Sequence, residues 1–186
     1  MARRNDKRDK LVVAANDSFR ERGVDSTTLA NIAQLATVPL GNVYYYFKSK
    51  ESIVFAVLEY RRKQIQQQFE ELAAIPDVLM RLKTLVTQSV SYNETTQNYG
   101  DALGSLCQEL GRQGGDIAKA AAGLMSEILD WCERQFKALG KEDKAKQLAM
   151  ILVSSMQGIS LLTLTFKNPE YTKQQASYLL NWLETI

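Results

Sequence analysis

Apolar residues recur every three or four positions in one stretch of this chain after another, and this spacing restricts the fold more than any other feature. It is the pattern of one apolar face of an α-helix, and no window alternates strictly for long enough to predict a β-sheet. Only three of the 186 residues are proline, and Leu, Ala, Gln, Glu and Lys, which favour helices, are frequent. We therefore predict an all-α protein of about nine helices.

Capping and helix-ending residues divide this pattern into segments. Gly23 follows Arg20 and Arg22, which is typical of a helix C-terminus, and Thr27 predicts the N-cap of the next helix. The polar stretch 93–100 predicts a break before the sixth helix. The predicted helices begin near residues 6, 28, 39, 50, 76, 103, 116, 142 and 170.

The chain contains no histidine and two cysteines, which removes most catalytic and metal-binding arrangements. Ser-His-Asp and Cys-His sites need a histidine, and most zinc sites use one. No pair of acids stands out, so we expect no enzyme activity, no metal and no cofactor. We also expect reduced thiols and a cytoplasmic protein without a membrane partner, because we find no signal peptide and no run of about 20 apolar residues.

Charge is distributed unevenly along the chain. Residues 1–50 carry nine Lys or Arg against five Asp or Glu, a net charge of +4, whereas residues 51–186 have a net charge of −2. A basic N-terminal end indicates contact with a polyanion. The alternative is a basic tail that is only solvated.

Two short helical segments, residues 27–36 and 39–47, have the dimensions of a helix-turn-helix. Ala33 is small enough for a helix crossing, and Ile32, Val38 and Val43 are predicted to fill the space between the helices. The other face of the second helix has small residues at its start and aromatic ones along it, as a recognition helix requires. Nearby Lys and Tyr side chains are suited to phosphate contacts. The predicted DNA-binding residues are Thr28, Leu40, Gly41, Asn42, Tyr44, Tyr45, Lys48 and Lys50. The alternative is that the tyrosines belong to the core, and for Tyr46 packing is the expected role.

In these segments the sequence resembles the tetracycline-repressor (TetR/AcrR) family. The matching stretches are FRERG at 19–23, STTLANIA at 26–33 and GNVYYYFKSKE at 41–51. The resemblance implies that Asn42 and Leu40 read bases in the major groove, and that Thr28, Tyr44, Tyr45 and Lys50 contact the groove or the phosphates. It also implies backbone or minor-groove contacts from Arg3, Arg4 and Lys7. The implied partners are double-stranded operator DNA, an unidentified small-molecule effector and a second copy of the chain.

Three residues depart from the family pattern. Thr37 stands where the turn usually has Gly, Pro39 replaces the usual Ser cap, and Leu40 stands where Lys is frequent. A missing cap leaves a backbone N–H without its partner. Leu40 cannot make the charge-assisted contact of a Lys, and it favours an apolar contact to a thymine methyl instead.

The remainder of the chain is predicted to bind an effector and to dimerise. The candidate pocket residues are Tyr92, Tyr99, Leu103, Cys107, Leu124, Trp131, Met156, Gln157, Leu161 and Phe166. The candidate dimer residues, on the last two helices, are Ser154, Gly158, Leu162, Tyr178, Leu179 and Trp182. Ordinary core packing is the alternative for most of the pocket residues. Cys107 has two interpretations, a redox or electrophile sensor and an inert buried thiol.

Residues 1–50 are thus predicted to form a DNA-binding domain and residues 51–186 an effector-binding and dimerisation domain. The predicted function is a ligand-responsive transcriptional regulator, a repressor that its effector releases from DNA. One alternative is a redox-sensing repressor that uses Cys107. The other, from a different class, is a helical ligand-binding dimer without catalysis.

Overall fold

The computed structural model describes residues 2–89 and 99–186, which contain α-helices and no β-strand. In chain order the helices are α1 (Ala2–Arg22), α2 (Leu29–Leu35), α3 (Leu40–Tyr46), α4 (Lys50–Ala73), α5 (Val78–Ser89), α6 (Ala102–Gln113), α7 (Gly115–Ala138), α8 (Ala145–Phe166) and α9 (Pro169–Thr185), with a 3-10 turn at Glu142–Lys144. The predicted all-α fold is confirmed for the described residues. Tyr92 and most of the predicted break at 93–100 lie outside them.

The largest differences from the predicted helix starts are at α1, which begins at Ala2 rather than near residue 6, and at α8, which begins at Ala145 because Glu142–Lys144 forms a 3-10 turn. Two other starts are corrected by one or two residues. Thr28, not Thr27, caps α2: its Oγ1 accepts from Asn31 N at 3.2 Å, and Asn31 Oδ1 accepts from Thr28 N at 3.1 Å. This reciprocal pair satisfies two N–H groups that a helix start leaves without partners. Asp77, not Pro76, precedes α5, and its Oδ1 accepts from Leu79 N at 2.8 Å.

The chain packs into two compact units, residues 1–64 with 105–124 and residues 65–104 with 125–186. In the first unit, α2 packs against α1 and against α3. Leu11, Ile32, Val43 and Ile53 are fully buried there. This burial is the main stabilising contribution to so short a helix pair, since isolated helices of this length are unstable in water.

The unit boundary differs from the predicted domain boundary at residue 50. Helix α4 continues without interruption from Lys50 to Ala73, so the division falls inside it. Residues 1–50 lie wholly within the first unit. Their independence as a functional domain stays a prediction.

The second unit has its own apolar core, to which α4, α5, α7, α8 and α9 contribute. Leu82, Phe136 and Leu152 are fully buried in it. Helix α9 packs against both α8 and α5. Thr163 and Thr172 share a buried hydrogen bond of 2.6 Å between α8 and α9.

The stretch Glu142–Phe166, which contains α8, is long and apolar enough by composition to cross a membrane. The sequence-based expectation that no apolar run is long enough to span a membrane does not hold for this stretch. Leu148, Leu152, Met156 and Ile159 nevertheless pack in the core of the second unit, and core helices of soluble proteins have the same composition. Only 39% of its most apolar window is buried, which leaves an apolar face uncovered.

Candidate nucleic-acid interface

The turn between α2 and α3 is a Schellman motif. Val38 N donates to Ala33 O at 2.9 Å, and Thr37 N donates to Gln34 O at 3.1 Å. The motif requires a left-handed residue after the helix, and Thr37 has φ of +53°. A β-branched residue is rarely found in that conformation. Val38 is buried and completes the packing between the two helices, as predicted from the sequence.

One face of α3 is buried and the other is open. Val43 is 0% exposed, whereas Leu40 is 40% exposed and Tyr44 and Tyr45 are each 53% exposed. Asn42 and Tyr46 are half-buried. Pro39 occupies the N-cap position of α3 and provides no side-chain hydrogen bond. Large side chains exposed along one short helix indicate a contact surface.

Gly41, in the first turn of α3, has no packing reason for being glycine. It has no positive φ, and a Cβ built on it meets no other atom within 4 Å. Glycine inside a helix lowers stability by about 0.5–1 kcal/mol relative to alanine. Gly41 therefore leaves open space on the exposed side of the first turn of α3.

Cationic side chains surround this helix. Lys48 Nζ donates to Tyr44 O at 3.2 Å, and Lys50 Nζ donates to Asp25 O at 3.0 Å. The Arg8 guanidinium lies 5.3 Å from the centre of the Phe47 ring. These contacts hold positive charge at the C-terminal end of α3 and at the start of α4, and exposed cations at such positions suit phosphate binding.

The structure also reveals a residue that sequence reasoning missed. Glu109 on α6 accepts from Val24 N through Oε2 and from Asp25 N through Oε1, both at 2.8 Å. Gln113 Nε2 donates to Asp25 Oδ1 at 2.9 Å. Sequence offers no signal for this contact, because the partners are 84 and 85 residues apart and the acceptors bind backbone groups.

The predicted pocket residues do not all belong to the same compact unit. Cys107 and Leu124 belong to the first unit, whereas Tyr99, Leu103, Trp131, Met156 and Gln157 belong to the second. In the second unit Asp101 Oδ2 accepts from Gln157 Nε2 at 3.3 Å, and Asp101 N donates to Ser160 Oγ at 2.6 Å. The Trp131 ring stacks on Phe69 with ring centres 4.9 Å apart.

Leu161 and Phe166 do not suit an interior pocket. They are 57% and 59% exposed, on the outer face of α8. That face also carries Ser154, Gly158 and Leu162 from the predicted dimer set. Residues three and four positions apart lie on the same side of a helix, so Leu161 lies beside Ser154 and Gly158. Leu161 therefore belongs with the exposed side of α8 and not with an interior pocket.

The predicted dimer residues on α9 also separate. Tyr178 is 66% exposed, whereas Leu179 is 2% exposed and lies in the core of the second unit. Trp182 is half-buried, with its ring centre 6.3 Å from that of Phe136. Leu179 is therefore removed from the candidate interface, because it faces the interior of its own subunit.

The two cysteines have different environments. Burial raises the pKa of Cys132 to about 12, although Arg134 acts in the opposite direction. Cys107 is half-buried, and its thiol donates to Ala121 O at 3.3 Å. A donated hydrogen bond stabilises the thiol, whereas electrophile sensing needs the thiolate.

Comparison with known proteins shows which proteins this chain resembles. Residues 11–57 match a family model described as bacterial regulatory proteins, tetR family. The chain is 25% identical over 167 residues to the HTH-type transcriptional regulator LmrA of Bacillus subtilis (strain 168), across 88% of this chain and 89% of LmrA. It is 33% identical over 111 residues to the HTH-type transcriptional regulator RutR of Escherichia coli (strain K12), across 56% of this chain and 48% of RutR.

The similarity in fold to a solved structure extends over nearly the whole chain. The crystal structure of SCO4454, a TetR-family transcriptional regulator from Streptomyces coelicolor, aligns with a TM-score of 0.85 at 17% identity, covering 98% of this chain and 96% of that one. The segment matched by the family model includes the whole of α2 and α3 and the eight predicted DNA-binding residues from Thr28 to Lys50, but not Arg3, Arg4 and Lys7. The chain belongs to the TetR family of DNA-binding transcriptional regulators.

Proposed function

We propose that this chain is a repressor that binds a pseudo-palindromic operator as a homodimer and leaves it when a small effector binds. The observation that carries the DNA-binding part is the open face of α3, above all Gly41, around which a Cβ would meet nothing. The first turn of a recognition helix must lie against base edges, and a glycine there permits the closest approach.

The exposed residues of α3 divide into two roles. Asn42 presents an amide that pairs with an adenine edge, and Leu40 presents an apolar surface that suits a thymine methyl. Tyr44, Tyr45 and Lys48 act on the sugar-phosphate backbone, together with Thr28 and Lys50. Phosphate contacts determine position and affinity, whereas base contacts determine sequence preference.

Gel-shift titration of the duplex upstream of this gene, across a salt series, tests the DNA-binding role. We expect affinity to fall as salt rises, because phosphate contacts release counterions. Lys50→Ala and Tyr45→Phe weaken binding to all duplexes alike, and Asn42→Ala changes the preference between them. Lys119→Ala is the matched lysine control, since Lys119 is 81% exposed and pairs with Asp116.

Absence of salt-sensitive binding would overturn the proposal and leave the helical ligand-binding dimer as the remaining candidate. An unchanged sequence preference in Asn42→Ala would remove the base-reading role of that residue.

The homodimer proposal rests on the outer faces of α8 and α9. They expose a row of apolar side chains on two adjoining helices, and Gly158 in the same row has no atom within 4 Å of a built Cβ. Exposed members of this row are Met150, Ile151, Leu161, Leu162, Phe166, Tyr171 and Tyr178. Two copies of such a row form a self-complementary interface about a twofold axis.

Analytical ultracentrifugation of Leu162→Glu tests the interface. A buried glutamate at a dimer contact costs desolvation energy, so we expect monomers at concentrations where the parent chain is dimeric. Met80→Glu, at a residue 47% exposed on α5, is the matched control and stays dimeric. A dimeric Leu162→Glu would contradict the interface.

We propose that the effector site lies in the second unit, where Asp101 hydrogen-bonds Gln157 and Ser160, and where Leu103 and Met156 are buried. A few polar groups among apolar ones is the usual composition of a small-molecule site. The effector prefers the conformer that cannot engage DNA and so shifts the population away from the operator. A thermal-shift screen of small apolar compounds, followed by gel shift, tests this, and Gln157→Leu should abolish the response to any hit.

A further inference from the structure

Three side chains form hydrogen bonds with Asp25, in the turn between α1 and α2. Asp25 receives a hydrogen bond on its backbone oxygen from Lys50, gives its backbone N–H to Glu109, and accepts from Gln113 on its carboxylate. Two of these partners, Glu109 and Gln113, come from α6, which is distant in sequence. The turn is therefore held by a helix outside the helix-turn-helix.

The Glu109 contact is close and bidentate. Its two carboxylate oxygens each take one of the successive amides of Val24 and Asp25 at 2.8 Å. Gly23 has φ of +82°, and a Cβ on it would lie 3.1 Å from Glu109 Oε2. Hydrogen bonds from amides to a charged carboxylate are about twice as strong as neutral ones.

The same turn leads directly into the DNA-facing residues. Thr27 is buried, with its hydroxyl 3.1 Å from Ser18 Oγ and donating to Gly23 O at 2.8 Å. Thr28 follows and caps α2, the helix that packs on α3. A shift of the turn therefore moves the start of α2.

We infer that Glu109 is a positioning residue for DNA binding, which holds the α1–α2 turn in the geometry from which α2 and α3 meet the duplex. The inference rests on the proposed DNA contacts of α3. It assigns to α6 a part in DNA affinity that no residue of the helix-turn-helix supplies.

Fluorescence anisotropy with the upstream duplex tests the inference in the full-length chain. Glu109→Ala should weaken binding at least about fivefold, the lower end of typical coupling between sites. Glu109→Asp, which keeps both acceptor oxygens, should restore part of the loss. Gln108→Ala, at an exposed neighbour on α6, should bind like the parent chain.

Stability is separated from positioning by a second readout. Circular dichroism gives the folded fraction of each variant, and amide hydrogen exchange reports Val24 and Asp25 directly. We expect faster exchange at these two amides in Glu109→Ala, with the helical content retained.

Binding of Glu109→Ala within twofold of the parent, or a loss no larger than its unfolded fraction, would overturn the inference. If Glu109→Ala does not fold, Glu109→Asp decides: normal affinity with faster exchange at both amides would equally overturn it. Failure of the parent chain to bind the duplex would instead refute the proposed function, and the inference with it.

Discussion

Gly41→Ala should make the folded chain more stable and a weaker DNA binder. The added methyl group enters open space in the first turn of α3. Alanine in place of a helical glycine contributes about 0.5–1 kcal/mol. For a chain of about 150–250 residues this raises the melting temperature by roughly 1–4 °C.

The same methyl group lies on the side of α3 assigned to DNA. Forcing an extra carbon into a packed contact costs about 1–3 kcal/mol. The dissociation constant for the upstream duplex should therefore rise about tenfold, which corresponds to 1.4 kcal/mol. Affinity and stability thus move in opposite directions.

Gly111→Ala is the matched control, since Gly111 lies in α6 and a Cβ there also meets no atom within 4 Å. It should give a similar gain in stability with no change in DNA affinity. Urea denaturation and fluorescence anisotropy measure the two quantities. If Gly41→Ala gains stability and binds the duplex as well as the parent chain, the face of α3 assigned to DNA is wrong.

Two further substitutions and one labelling experiment test particular features of the structure. Thr37→Gly should raise the free energy of unfolding by about 0.5–1 kcal/mol. Removing a β-branched residue from the left-handed conformation stabilises the folded chain by about 1–2 kcal/mol, and the greater flexibility of glycine in the unfolded chain offsets about 0.4–1 kcal/mol of this. A lower free energy of unfolding in urea denaturation would contradict the φ of +53° at Thr37. Gly104→Ala should lower the free energy of unfolding by about 1–3 kcal/mol, because the new Cβ overlaps the Gln157 side-chain amide. If the double variant Gly104→Ala/Gln157→Ala is no more stable than Gly104→Ala, this overlap is not the cause. Because burial raises the pKa of Cys132 to about 12, iodoacetamide at pH 8 should modify it only after denaturation, and rapid labelling of the native chain would contradict its burial.

Much of the local structure follows from the sequence alone. The apolar spacing determines that each segment is helical, and it correctly places Ile32, Ala33 and Val43 on the buried faces of α2 and α3. Turn chemistry is equally local: a short connection after α2 requires a left-handed residue, and Thr37 adopts that conformation although glycine would do so more easily.

Where neighbouring residues offer the same chemistry, sequence is less decisive. Thr27 and Thr28 are both credible caps, and only the packing of Thr27 against Ser18 leaves Thr28 for the cap. On α8 and α9, apolar residues face both inward and outward. From sequence alone, Leu179 is therefore as good a candidate for an interface as Tyr178. In the fold Leu179 is buried and Tyr178 is exposed.

Sequence by itself determined the helical class, the helix-turn-helix and the exposed side of α3, because these depend on residues three or four positions apart along one helix. Only the tertiary structure decided that Glu109 on α6 holds the α1–α2 turn and that α8 and α9 leave an apolar row uncovered. Those features depend on backbone amides and side chains brought together from distant parts of the chain, and their pairing has no period along the sequence for a pattern to reveal.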